Sequence, residues 1–228
     1  MAAAPERPTP TTRLKTIVID EPVCLILAVP DLDDGRLSSH DRDLLGAARL
    51  LADAANAAVV VLAPSGIAED FGAAGADRLL SAAMPRHYAP EAKAAAVLAA
   101  IERLQPRHVL FPETAIGGGD TGRRVAAELG ERPAVRVVRF SGTEIASRAD
   151  GGRSDLLRQP PRLLLIAAEA ADPPSGARWE QRPLPNLGPL DSTAAIGDGG
   201  LAASDPNAVP LTEADFIVSA GNGVTDWS

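Results

Sequence analysis

The sequence feature that most constrains the fold is an alternation of short apolar runs with stretches of helical periodicity. The runs are continuous rather than alternating, which is typical of strands buried on both faces. We predict such strands at 23–29, 58–63, 77–81 and 108–111. We predict helices between or after them at 39–55, 91–104 and 120–129. This order predicts an α/β fold in which helices cover both faces of a parallel sheet, giving three layers.

Residues at the expected helix ends support this interpretation. Ser39 is predicted to be the N-cap of the first helix, since a serine side chain can accept a hydrogen bond from an unpaired backbone N–H group. Pro90 fits the first turn of the second helix. Gly130 fits the position just after the third helix, where a left-handed residue is common.

After Pro133 the pattern changes, because no helix of comparable length separates the strand-like runs. These runs lie at 134–140, 142–147 and 162–168, between Gly- and Pro-containing turns. We expect them to be edge or antiparallel strands added to the same sheet.

The pattern also predicts a domain organisation. Residues 1–22 are expected to be a flexible N-terminal extension, and 23–171 one α/β domain. Residues 172–210 are rich in Pro, Gly, Ser and Asp and are predicted to be a linker. Residues 211–228 contain a last apolar run, Phe216-Ile217-Val218, and are expected to begin a second α/β domain whose remainder is absent.

Charge and cysteine content exclude several classes of function. A net charge of −8 and a pI near 4.9 argue against nucleic-acid binding. No apolar stretch is long enough to predict insertion into a membrane. Cys24 is the single cysteine, so no disulfide can form within the chain, and it is expected in the core. These features favour a reducing compartment and a cytoplasmic location.

Motifs for catalysis or metal binding are weak. One cysteine and three scattered histidines do not predict a metal site. The glycine cluster Gly117-Gly118-Gly119 follows a predicted strand and precedes a helix, where backbone N–H groups can bind a phosphate. It therefore suggests one alternative, a stand-alone protein that binds adenine nucleotides at this loop. The other interpretation is a plain glycine turn before a capped helix.

Two pairs of residues leave further alternatives open. Arg123 and Arg124 could hold a phosphate or a partner's carboxylate, or could form a solvated helix face. Trp179 and Trp227 lie near the expected domain boundary, where aromatic side chains often belong to an interface. Core packing is an equal alternative for both.

Four stretches, taken in order, resemble the alpha subunit of electron transfer flavoproteins. The first resembles that family's first helix, the second a strand entry, the third a Gly-x-Asp segment with its following helix, and the fourth the start of the FAD domain. These stretches are 43–52, 75–80, 119–120 with 124–130, and 211–224.

The resemblance implies a Rossmann-like N-terminal domain that packs against a beta-type subunit and serves as a scaffold. It implies an electron-carrier subunit without catalytic residues of its own, and FAD bound by the complete heterodimer, which accepts electrons from a donor dehydrogenase. Gly221, Asn222 and Gly223 match a turn near the flavin in that family. The family usually has a basic residue where Asn222 stands, and its absence removes a charge that would stabilise reduced flavin.

Overall fold

The computed structural model describes residues 15–85, 87–141, 143–190 and 194–200, together with 216, 217 and 219. The chain divides into two compact units, Met1–Gly197 and Asp198–Ser228. None of the described residues of the second unit lies in a helix or strand, so Phe216 and Ile217 do not form the predicted strand. Val218, the third residue of that run, lies outside the described residues.

The first unit is built on a nine-stranded sheet and three helices, as the sequence predicted for an α/β fold. The helices are α1 (Ser39–Ala55), α2 (Pro90–Leu104) and α3 (Gly118–Leu129). The strands are β1 (Lys15–Ile17), β2 (Leu25–Ala28), β3 (Ala58–Pro64), β4 (Arg78–Ala82), β5 (His108–Pro112), β6 (Ala134–Ser141), β7 (Glu144–Ala149), β8 (Ser154–Arg158), β9 (Leu163–Ile166), β10 (Ala177–Trp179) and β11 (Arg182–Pro183). The order in the large sheet is β11-β4-β3-β2-β5-β9-β6-β7-β8.

Most of the large sheet is parallel, and the end formed by β6, β7 and β8 is antiparallel. Among the described strands of this sheet, only β7 runs against its neighbours, pairing antiparallel with both β6 and β8. The prediction that 162–168 is an edge or antiparallel addition is wrong, because β9 lies inside the sheet and is parallel to both β5 and β6. Four consecutive buried residues in β9 explain its interior position.

Two hydrophobic cores lie on opposite faces of the sheet. Successive strand residues point to opposite faces, so Ile26 and Val59 belong to one core and Leu27 and Val60 to the other. Helix α1 covers the first core, and α2 and α3 cover the second. Cys24, which was expected in the core, is half-buried at the margin of the first.

The start of α1 differs by one residue from the prediction. Ser38, not Ser39, is the N-cap: its hydroxyl accepts a hydrogen bond from the backbone N–H of Asp41 at 3.1 Å. The Asp41 carboxylate accepts one in return from the N–H of Ser38 at 3.1 Å. This reciprocal capping box satisfies two N–H groups that a helix end otherwise leaves unpaired.

Three short segments form strands where the sequence suggested irregular structure. Lys15–Ile17, inside the expected extension, pairs in parallel with Ala177–Trp179, inside the expected linker. Arg182–Pro183 adds a further parallel strand beside β4. These strands have two or three residues each, too few for a periodic pattern, and each depends on a partner distant in sequence. Among the described residues, no helix combines the length and apolar character needed to cross a bilayer.

Candidate functional site

A cleft with a volume of about 400 Å³ lies at the carboxyl ends of β2, β3, β4 and β5. In the sheet, β3 and β4 lie on one side of β2, whereas β5 and β9 lie on its other side. The strand order therefore reverses at β2. Open α/β sheets bind ligands in the crevice at such a reversal. The cleft has an apolar wall that includes Ile67, Met84 and Ile116, and a polar end that includes Asp31 and Lys93.

The glycine cluster forms the cap and first turn of α3, two residues earlier than the predicted start at Asp120. Gly117 is the N-cap and Gly118 the first helical residue. A Cβ atom on Gly118 would lie 2.5 Å from the backbone oxygen of Pro112, and one on Gly117 would lie 2.5 Å from the Asp31 carboxyl carbon. The close contact of α3 with the end of β5 and with Asp31 therefore requires glycine at both positions.

Asp31 occupies the position at which a helix N-terminus binds an anion. One carboxylate oxygen accepts a hydrogen bond from the backbone N–H of Gly118 at 2.9 Å and one from the hydroxyl of Thr114 at 2.6 Å. The other lies 2.6 Å from the ammonium nitrogen of Lys93. The phosphate position suggested by the glycine cluster thus contains a carboxylate of the chain itself, and this arrangement does not favour the nucleotide-binding alternative.

The surroundings of Asp31 keep its side chain ionised. Burial by itself raises the pKa of a carboxyl group. Here the positive charge of Lys93 and the hydrogen bonds from Lys93, Thr114 and Gly118 outweigh burial, so the pKa of Asp31 lies below its ordinary value. The carboxylate and the ammonium group therefore form an ion pair at neutral pH.

The backbone of this loop is held by the helix that follows it. The Asp41 carboxylate, already part of the capping box of α1, also accepts hydrogen bonds from the backbone N–H of Asp31 at 2.8 Å and of Leu32 at 3.2 Å. One buried side chain thus fixes both the start of α1 and the loop that carries Asp31. Sequence reasoning missed this arrangement, although an acidic residue directly after a strand end was a visible signal.

Arg123 and Arg124 each form an ion pair with a carboxylate of the same chain. Arg123 contacts Glu113 at 2.6 Å, and Arg124 contacts Asp120 at 2.9 Å. Asp120 also accepts a hydrogen bond from the Tyr88 hydroxyl at 3.0 Å. These contacts favour the interpretation of a partly solvated helix face over that of a phosphate site.

A second polar cluster lies under the segment that the sequence identified as a linker. The Arg49 guanidinium contacts Asp77 at 2.8 Å and Asp53 at 2.7 Å, and donates to the carbonyl oxygen of Ala57 at 3.1 Å. The ring of Trp179 lies over it, with 5.3 Å between the guanidinium carbon and the ring centre. Trp179 is buried, so of its two interpretations the structure favours core packing.

The last group of predicted site residues belongs to the C-terminal part of the sequence. Gly221, Asn222 and Gly223 lie outside the described residues, as does Trp227. In the part of the chain that is described, no group of three or more His, Cys, Asp or Glu side chains is arranged to hold a metal ion.

Comparison with known proteins identifies the family. The electron transfer flavoprotein domain matches residues 26–185. The electron transfer flavoprotein subunit alpha of Chromohalobacter salexigens is 44% identical to this chain over 223 residues, which cover 92% of this chain and 53% of that protein. The chain thus spans about half the length of the curated relative it matches. The fold and both matches agree, and the chain belongs to the electron transfer flavoprotein family as an alpha-type N-terminal domain.

Proposed function

We propose that this chain acts as the alpha-type subunit of an electron transfer flavoprotein. In this role it pairs with a beta-type subunit in the cytoplasm, and the complex carries electrons on FAD from a donor dehydrogenase to an acceptor. The observation that carries the proposal is the similarity to an alpha subunit across 92% of the chain. The contribution of the chain is that of a scaffold and electron-carrier subunit rather than of an enzyme with its own catalytic residues.

The chemistry of the cleft supports a scaffold role. Its ion pair, Asp31 with Lys93, is internally neutral, and the Thr114 hydroxyl donates to the same carboxylate. These groups stabilise the junction of strands and helices. General acid–base catalysis instead needs a group placed to exchange a proton with a substrate.

The described residues of the cleft do not fit FAD. The helix N-terminus that would bind its pyrophosphate is occupied by the Asp31 carboxylate, which would repel it. We therefore place FAD in the assembled heterodimer, outside this cleft. Gly221, Asn222 and Gly223 stay the predicted contacts of this chain with the flavin.

The edge of the sheet at β8 is the surface best suited to the beta-type partner. In the described part of the chain β8 pairs only with β7, and Leu156 and Leu157 are 54% and 56% exposed. Adjacent strand residues point to opposite faces, so both faces of this edge carry a leucine. Arg139 and Arg148 share one acid, Asp155, at 3.8 and 2.9 Å. This local excess of positive charge, in a chain of net charge −8, favours an acidic partner surface.

Co-expression tests the proposed function. We expect the tagged chain to co-purify in a one-to-one complex with a beta-type subunit. When the part of the C. salexigens alpha subunit that this chain does not cover is also supplied, the complex should be yellow and show flavin absorbance. A chain that binds no beta-type subunit, or a complete assembly that is colourless, would contradict the proposal.

Replacing both exposed leucines of β8 with serine tests the proposed surface. We expect Leu156→Ser with Leu157→Ser to weaken the heterodimer at least about tenfold, because burial of one leucine contributes about 1.5–3 kcal/mol. The matched control is Leu50→Ser on α1, where the residue is 50% exposed. Titration calorimetry with the beta-type subunit measures both affinities. Equal weakening by the control, or none by the double variant, would place the interface elsewhere.

A further inference from the structure

The carboxyl end of β2 carries a feature that the electron-transfer role does not explain. Asp31 lies where the strand order reverses, beside the first turn of α3. In α/β folds this crevice is the common ligand position, and the N-terminus of the adjoining helix is a common phosphate position. Here the side chain of Asp31 occupies this phosphate position.

Three donors from separate parts of the chain converge on this carboxylate. They are the ammonium group of Lys93 from α2, the hydroxyl of Thr114 from the segment after β5, and the N–H of Gly118 from α3. The distances of 2.6, 2.6 and 2.9 Å are those of charge-assisted hydrogen bonds. A lysine, a hydroxyl group and a helix N–H are also the groups that commonly hold the oxygen atoms of a phosphate.

The Asp31 carboxylate itself fills this position. A Cβ atom on Gly117 would overlap one Asp31 carboxylate oxygen, so the carboxylate lies directly against the helix cap. The backbone of Asp31 is fixed by Asp41, which is fully buried. A phosphate could approach only if the Asp31 side chain left, and rotation of that side chain would abandon all three donors.

We propose that Asp31 is a built-in anion that takes the place of a ligand phosphate, joining β2, α2 and α3 and closing the cleft to phosphorylated ligands. The cleft of about 400 Å³ remains beside Asp31. However, the three donors that would bind the phosphate of a nucleotide there already bind the Asp31 carboxylate. The domain therefore retains the geometry of a phosphate-binding fold while its junction is stable without a ligand. This inference does not depend on the proposed electron transfer.

Substitution of Asp31 combined with inorganic phosphate tests the proposal. Asp31→Ala should lower the Tm of the full chain and create a vacant anion site. Phosphate at about 100-fold above its Kd should then raise the Tm by roughly 5 °C over chloride of equal ionic strength. The wild type should show no such rise. The matched control is Asp33→Ala in the same turn, an exposed residue that should behave as wild type.

A second substitution identifies the site at which phosphate acts. Adding Lys93→Met to Asp31→Ala should abolish the rise, because the ammonium group supplies the only full positive charge among the three donors. An equal rise in wild type, no rise in Asp31→Ala, or a rise that survives Lys93→Met would overturn the proposal. If Asp31→Ala folds in neither salt, Asp31→Asn tests the proposal instead. A Tm of Asp31→Asn below that of wild type supports the role of the carboxylate charge, and an unchanged Tm overturns the proposal.

Discussion

Replacing Arg49 with methionine is expected to lower the free energy of unfolding by about 3–5 kcal/mol, because it leaves a buried carboxylate without its partner. The Asp77 side chain is 1% exposed, and its Oδ1 atom has no hydrogen-bond partner among the described residues. Burial raises the pKa of Asp77 above its ordinary value, against the hydrogen bond from Val59 and the charge of Arg49. Without Arg49 the carboxylate would have to protonate or take up water. Urea denaturation measures the loss.

Two comparisons separate this effect from a general loss of charge. Arg42→Met removes an arginine of the same helix whose side chain is 44% exposed and lies 3.6 Å from Glu69, and should change stability by less than about 1 kcal/mol. Adding Asp77→Asn to Arg49→Met removes the unpaired charge and should recover part of the loss. Similar losses for Arg42→Met and Arg49→Met would contradict the assignment of Arg49 as the buried counter-ion.

The Arg49 cluster is a feature that the sequence patterns did not predict. Helices α1, α2 and α3 and strands β2 to β5 were predictable, because each has an apolar pattern of its own length and recognisable end residues. The family was predictable because its motifs occur in order along the chain. A contact between Arg49 and Asp77, 28 residues apart, has no such local signature.

The same reason explains why the glycine cluster left two interpretations open. Glycines before a helix indicate a phosphate site equally well whether the anion comes from a ligand or from the chain. The residue that decides, Asp31, is 87 positions before Gly118. Likewise β10 and β11 became strands through partners distant in sequence, β1 and β4, whereas their own Pro-, Gly- and Ser-rich surroundings predicted a linker.

Replacing Gly46 with alanine tests whether the segment after β9 belongs to the folded domain. Gly46 is a buried residue within α1. From helix propensity alone, alanine there should stabilise the protein by about 1 kcal/mol. We expect the opposite, a loss of about 1–3 kcal/mol, because a Cβ atom would overlap the backbone oxygen of Asp172 and lie 2.9 Å from its carbonyl carbon.

The sign of this change is decisive, because the two interpretations of residues 172–210 predict opposite signs. Backbone atoms cannot rotate away as the end of a side chain can, so the segment would have to move off α1. Ala54→Gly, at an exposed position of the same helix, controls for propensity and should cost about 0.5–1 kcal/mol. Stabilisation by Gly46→Ala would show that 172–173 does not pack on α1.

A second glycine supports the same path for the chain. A Cβ atom on Gly72 would overlap the backbone oxygen of Trp179, so the segment also passes directly against the turn at Phe71–Ala74. Gly72→Ala should therefore destabilise the protein, as Gly46→Ala does. Gly66→Ala is the control without a neighbouring segment. Gly66 has a positive φ of 82° and nothing within 4 Å of an added Cβ atom, so its substitution reports backbone strain alone. Gly46 and Gly72 have no positive φ, so losses there would instead measure the close contact of the segment with the domain.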